Sequence, residues 1–159
     1  MSRNADANSG VIQTDGHIHA ILLVMRAPKR KRPLLRSLQT SSEGVSLAKV
    51  AQRSTYVGSA EHKSFPSFAG HPRLRSDASK CDPKFTDLAE ITTFLQLAIA
   101  AGNVGTHWEG DFPRYVWHVI DGVIYEARLV NQELGQYKGY PLRHGEHPEH
   151  LNEVGEKLE

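Results

Sequence analysis

Three adjacent residues, Glu61-His62-Lys63, set a carboxylate, an imidazole and an ammonium side by side. An imidazole titrates close to neutral pH, so His62 can give or take a proton there, and Lys63 can neutralise a phosphoryl oxygen. The competing reading is a surface loop with chance charges. Further along, His71-Pro72-Arg73-Leu74-Arg75 adds a second imidazole and two cations. Together they make this loop a candidate anion site.

A second constellation follows from a hairpin. Arg114 to Ile120 is rich in β-branched and aromatic residues, Asp121-Gly122 is a strong two-residue turn signal, and Val123 to Val130 reads as the partner strand. With Asp121 and Gly122 as the loop, Ile120 faces Val123, His118 faces Tyr125, Trp117 faces Glu126 and Tyr115 faces Arg128. Val116, Ile120, Val123, Ala127 and Leu129 then form an apolar face able to receive a helix. Tyr115, Trp117, Glu126 and Arg128 form the other, with Val119, Ile124 and Val130 as its apolar part. Aromatics stack bases or sugars and arginine takes a phosphate in a fork, so this face suits an anionic ligand. The alternative is a cross-strand ion pair on a half-covered outer face, although an exposed Trp117 would call for a partner.

These groups need elements to hold them. Asp87 and Glu90 have capping-box spacing ahead of Leu88, Ile91, Leu95, Ala98 and Ile99 at helical period, with Gly102 as the stop. Ser46 can cap a short helix running to Arg53, with Leu47, Val50 and Ala51 on one side. Gly135 allows a second turn into a strand from Gln136 to Leu142, which brings Lys138 into the sheet. Residues 54 to 83 read as loop, punctuated by Gly58, Pro66, Gly70, Pro72 and Pro83; Tyr56, Phe65 and Phe68 argue that it is packed. His17 to Val24 is a further candidate strand. The expected architecture is α+β, a helix on a three- or four-stranded antiparallel meander. Its expected organisation is a basic, partly disordered extension over 1–43, one domain over 44–143 and an acidic, His-rich tail over 144–159, with a last helical turn near Leu151 to Leu158.

Composition narrows the class. The chain has 159 residues, 39% hydrophobic and 23% charged, which suits one globular domain and excludes collagen-like and disulfide-scaffold chains. No apolar run approaches the roughly 18 residues of a spanning helix, so no membrane partner is expected. The single cysteine, Cys81, rules out an internal disulfide and points to a reducing, cytoplasmic setting. The net charge of +1 conceals 13 Lys/Arg against 5 Asp/Glu in residues 1–80, and 6 against 13 in residues 81–159. Much of the excess lies in Arg26-Ala27-Pro28-Lys29-Arg30-Lys31-Arg32-Pro33, an extended segment that reads either as a phosphate-backbone contact or as a solvated tail. His62, His71, Cys81 and Asp82 match no compact zinc spacing, so neither metal nor cofactor is expected. Phosphate-binding P-loops, dinucleotide fingerprints and nucleophile elbows are absent from the sequence.

The stretches Tyr56-Val57-Gly58-Ser59, Glu61-His62-Lys63, Pro66-Ser67, Arg73 to Asp77, Trp108-Glu109-Gly110, Phe112-Pro113-Arg114-Tyr115-Val116-Trp117 and Tyr125 to Asn131 together resemble a group of small uncharacterised bacterial proteins. The resemblance spans about residues 54–142 and implies a domain rather than a chemistry. More remotely, a helix followed by an antiparallel sheet bearing Glu, Arg, His and Lys is similar in outline to the metal-independent toxin ribonucleases of the barnase and colicin type. That likeness implies Glu126 or His62 as base, His62 or His118 as acid, and Lys63, Arg128, Arg114 and Lys138 as the phosphate clamp. The pairing of His118 with Tyr125 on the helix-facing side counts against His118. The resulting expectation is an RNA-binding protein or metal-independent endoribonuclease. Its catalytic residues would be His62, Glu126 and Arg128; its nucleic-acid contacts Lys63, Arg73, Arg75, Arg114, Tyr115, Trp117 and Lys138. The rival is a partner-binding module of antitoxin, immunity or adaptor type that uses the Tyr115/Trp117 face. A small-anion binder is a third reading.

Overall fold

The computed structural model describes residues 37–39, 44–146 and 148–154, so the candidate strand at His17 to Val24 and the basic run from Arg26 lie outside the described residues. Helix α1 (Leu47–Arg53) follows Ser46, whose backbone is extended as a cap requires but whose side chain does not cap. Strand β1 (Thr55–Tyr56) comes next, then a 3-10 turn (Ala60–His62). Helix α2 (Leu88–Ala100) starts where the sequence signals: Asp87 Oδ1 accepts from Ala89 N at 2.8 Å and Glu90 N at 3.4 Å. Strands β2 (Trp108–Glu109) and β3 (Phe112–Pro113) form a small antiparallel pair. Strands β4 (Tyr115–Ile120), β5 (Val123–Asn131) and β6 (Gln136–Pro141) complete the regular structure of the described residues.

The fold is α+β, with one correction. The four-stranded sheet has the order β1-β6-β5-β4; β4, β5 and β6 make the expected meander, but β1 joins β6 in parallel, so the sheet is mixed. Two residues of β1 in a Gly- and Pro-punctuated stretch carry too little period-two pattern to be read from sequence. Their register comes from backbone bonds instead, Thr55 N to Gly135 O at 2.9 Å and Val57 N to Tyr137 O at 2.8 Å. From Leu151 to Val154 the chain has no helical turn.

The β4–β5 register matches the turn chemistry: Tyr115 pairs Arg128, Trp117 pairs Glu126, His118 pairs Tyr125 and Ile120 pairs Val123. Asp121 and Gly122 both have positive φ, 50° and 76°, the backbone that matches strand twist in a two-residue hairpin. Alternation then sorts the side chains. Val116, Leu129, Tyr137 and Tyr56 join Val50, Ala51, Leu95, Ala98 and Ile99 in the core beneath α1 and α2. Tyr115, Trp117, Glu126, Arg128, Lys138 and Tyr140 face the opposite way. Among the described residues no helix is long and apolar enough to cross a membrane.

The turn into β6 depends on Gly135. Its φ is +61°, and a Cβ there would lie 2.5 Å from the Phe112 ring and 2.9 Å from Arg53 O. At Gly122 (φ +76°) a Cβ would meet nothing within 4 Å. Gly135→Ala is therefore expected to cost roughly 2–4 kcal/mol, backbone strain plus overpacking, and Gly122→Ala roughly 1–2 kcal/mol from backbone strain alone. Urea unfolding of both variants checks the order; equal losses would contradict the packing assigned to Gly135.

Candidate functional site

On the outer face two cross-strand rows run over three strands. Tyr115, Arg128 and Lys138 form one row, and Trp117, Glu126 and Tyr140 the next. Neighbouring strands lie about 4.8 Å apart and same-face rows about 6.7 Å apart. The second row is a closed hydrogen-bonded unit. Trp117 Nε1 donates to Glu126 Oε2 at 3.1 Å and the Tyr140 hydroxyl donates to Glu126 Oε1. Trp117 and Glu126 are both 0% exposed. Gly105 fits beside the indole, where a Cβ would come within 3.3 Å of Trp117 Cη2.

The loop reaches this face. The His62 ring stacks on Tyr140 with centroids 4.8 Å apart and an interplanar angle of 17°. His62 Nδ1 lies 2.8 Å from Ser79 O. A carbonyl only accepts, so Nδ1 carries a proton there. Ser79 is itself tied down, its hydroxyl donating to Pro141 O at 2.6 Å at the end of β6. Cys81 N donates to His62 O at 2.8 Å, so the backbone of 79–81 grips the histidine from both sides.

The first row supplies charge. Arg128 is half-buried and makes no hydrogen bond or ion pair among the described residues. Lys138 Nζ lies 3.9 Å from Glu61 Oε2, whose side chain is 43% exposed. Arg114 pairs with Glu109, and its Nε donates to the Tyr115 hydroxyl at 3.4 Å. Tyr115 stacks on Trp117 at 6.3 Å.

No family model, curated protein or solved structure matches this chain. The geometry must therefore carry the functional reading, and it revises several expectations. Trp117 is not an exposed stacking platform, because it is spent on Glu126. Glu126 is not a reachable base, because its two oxygens accept from Trp117 and Tyr140 beneath the surface. Lys63 leaves the phosphate set: it is 1% exposed, its Nζ donates to Phe85 O at 3.1 Å and sits 4.2 Å from the Phe68 ring centroid, and burial holds its pKa below the ordinary lysine range. His62 and Lys63 do not share one face, since the His62 ring lies on Tyr140 whereas Lys63 Nζ reaches Phe85 O. Lys63 lines an apolar cavity of about 60 Å³ between α2 and the sheet, together with Cys81, Tyr125 and His118. Burial pushes the Cys81 thiol up to about 11, which makes it a poor nucleophile. His118 is no acid for this face, since it packs edge-on against Phe94 at 5.5 Å on the helix side. Arg73 and Arg75 are exposed on the segment beside Ala60 and Glu61. Reasoning from sequence missed Tyr140 and Ser79. Counting back from the turn, where Asn131 pairs Gln136, would have set Pro141 opposite Glu126; an irregularity between Leu129 and Asn131 shifts the register by one and brings Tyr140 there instead, whereas Ser79 acts through a backbone carbonyl and has no sequence signal.

Two outcomes follow from this packing. Tyr140→Phe leaves a buried carboxylate short of one donor and is expected to lower stability by about 1–3 kcal/mol in denaturant unfolding; no loss would contradict the Tyr140–Glu126 bond. Burial lowers the His118 pKa, and its Nδ1 has no hydrogen-bond partner. The unfolded chain therefore takes up a proton near pH 6.5 that the native imidazole resists, and the stability His118 supports is present above that pH and lost as pH falls through the native pKa. His118→Phe should lose less stability than wild type between pH 7.5 and 5.5 in paired urea titrations, and an equal loss would place the sensitivity elsewhere.

Proposed function

We propose that the outer face of the sheet is the active site of a metal-independent endoribonuclease. One observation carries this reading: a loop brings an imidazole held by a backbone carbonyl onto a strand face where an arginine and a lysine stand ready for a phosphate. Transesterification of RNA needs one group to take the ribose 2′-hydroxyl proton, one to protonate the leaving 5′-oxygen, and cations to stabilise the phosphorane charge. The imidazolium of His62 is the proton donor through Nε2. With Glu126 sealed, the carboxylate on the accessible side is Glu61. Its Oε2 lies 3.9 Å from Lys138 Nζ, and it immediately precedes His62, whose ring stacks on Tyr140 of the same strand face. Glu61 takes the 2′-proton as the 2′-oxygen bonds to phosphorus, the bond from phosphorus to the 5′-oxygen breaks, and His62 protonates that oxygen. A 2′,3′-cyclic phosphate and a 5′-hydroxyl result. Arg128 and Lys138 hold the phosphoryl oxygens, Arg114 polarises Tyr115 at the edge, and Trp117, Glu126 and Tyr140 are the frame beneath.

The partner-binding alternative drew its support from an exposed Tyr115/Trp117 pair, and burial of Trp117 removes half of that pair. The likeness in outline to toxin ribonucleases agrees with the chemistry proposed but adds nothing to the geometry.

Purified protein incubated with labelled RNA in excess EDTA is expected to yield fragments ending in cyclic phosphate. His62→Ala should slow cleavage by roughly 10²–10⁴-fold, as for loss of a proton-transfer group, and Arg128→Ala should also slow it while leaving the melting temperature close to wild type. RNA left intact by folded wild-type protein would overturn the proposal.

A further inference from the structure

Resting on the reading of the outer face as an RNA site, we propose that its substrate is a single-stranded RNA chain several nucleotides long, whose phosphates beyond the scissile bond lie along segment 71–80. This segment is pinned to the site wall by its backbone. Arg73 N donates to Ala60 O at 3.0 Å and Arg75 N to Glu61 O at 3.3 Å, so it runs beside the two residues that precede His62. It turns through Ala78 N to Arg75 O at 3.0 Å and returns to the site at Ser79, whose carbonyl holds the His62 ring. From the far side Arg143 donates to Asp77 O at 2.9 Å.

Because main-chain bonds do the anchoring, the cationic side chains stay exposed. Arg73, Arg75, Lys80 and Arg143 are all exposed, and among the described residues the side chains of Arg73 and Lys80 make no hydrogen bond or ion pair. Arg75 reaches only Asp77, at 3.6 Å. Arg73 and Arg75 are anchored in turn on the carbonyls of the adjacent residues Ala60 and Glu61, which keeps the two guanidinium groups on one short stretch of the rim. They continue the cationic row of Arg128 and Lys138 past Glu61 onto the rim. One phosphodiester engages the sheet; a rim this far out is used only by further phosphates.

Single-stranded RNA fits better than duplex. His62 is only 9% exposed, with its ring laid on Tyr140 of β6. A stacked A-form strand cannot carry one ribose hydroxyl to so buried a ring, whereas a flexible strand can turn its backbone inward.

The test uses the His62→Ala protein, which binds without cleaving, a fluorescein-labelled 12-nucleotide single strand, and anisotropy across a salt series. Substituting Arg73→Ala, Arg75→Ala and Lys80→Ala together should weaken binding at least tenfold at low salt. The slope of log affinity against log salt should fall by about 2, from roughly 0.7 per cation on a single strand. With His62 intact, kcat/KM on the 12-mer should exceed that on a dinucleotide by about 100-fold or more, and the triple substitution should shrink this ratio mainly through KM. An unchanged slope and ratio with cleavage still present would overturn the rim assignment alone, and a 12-base-pair duplex binding as tightly as the single strand would overturn the substrate class. Absence of cleavage on every substrate would instead overturn the ribonuclease reading.

Discussion

A carboxylate without solvent exposure sits in the middle of the sheet's outer face, and much of the molecule is arranged around keeping it hydrogen-bonded. Burying a charge unpaired costs more than a domain of this size can bear, so Glu126 needs donors on the strands at either side of it. Trp117 and Tyr140 provide them, one from β4 and one from β6. Both donors reach the same carboxylate only when three strands stay in register, because a slip of one residue would send Glu126 into the helices. The tight turns at Asp121-Gly122 and Gly135 therefore matter beyond their own stability. Tyr140, tethered by its hydroxyl, also presents a fixed ring, and on that ring His62 lies flat.

The sheet divides the chemistry of the chain in two. On the helix side, Lys63, Cys81, Tyr125 and His118 line an apolar cavity, where burial lowers the pKa of Lys63 and His118 and raises that of Cys81. Each shift favours the neutral form, as an apolar environment requires. On the outer side Arg128 and Lys138 are half-buried, and Arg73, Arg75 and Lys80 are exposed. The dividing line passes between His62 and Lys63, where the 3-10 turn ends and neighbours in sequence reach different surroundings, Tyr140 for one and Phe85 for the other. A triplet that looks like one site is thus split between the outer face and the interior.

The legible part of the fold was the local part. Asp87, the apolar spacing of α2 and the Asp121-Gly122 turn each act over a few residues, and each gave the right element and, for the hairpin, the right pairing. Face membership was legible as well, since Trp117, Glu126 and Arg128 do share a side. Their solvent exposure was not, because it depends on residues far away in sequence: Gly105 beside the indole and segment 59–81 folded across Tyr140. The parallel pairing of β1 was hidden for the same reason. At the site, His62 stood out by its chemistry, whereas the grip of Ser79 runs through a carbonyl that every residue possesses. Lys63 misled because composition registers a charge without registering its direction.

The central claim is that His62 and Arg128, brought together from loop and strand, engage one phosphate. Side-chain nitrogen NMR of the full chain, titrated with a short 2′-O-methyl RNA that binds but lacks the attacking hydroxyl, addresses it most directly. The account requires the His62 imidazole and Arg128 guanidinium resonances to shift together and to saturate with one Kd. If both stay in place at saturation while resonances elsewhere move, the outer face does not hold the phosphate and the account is wrong.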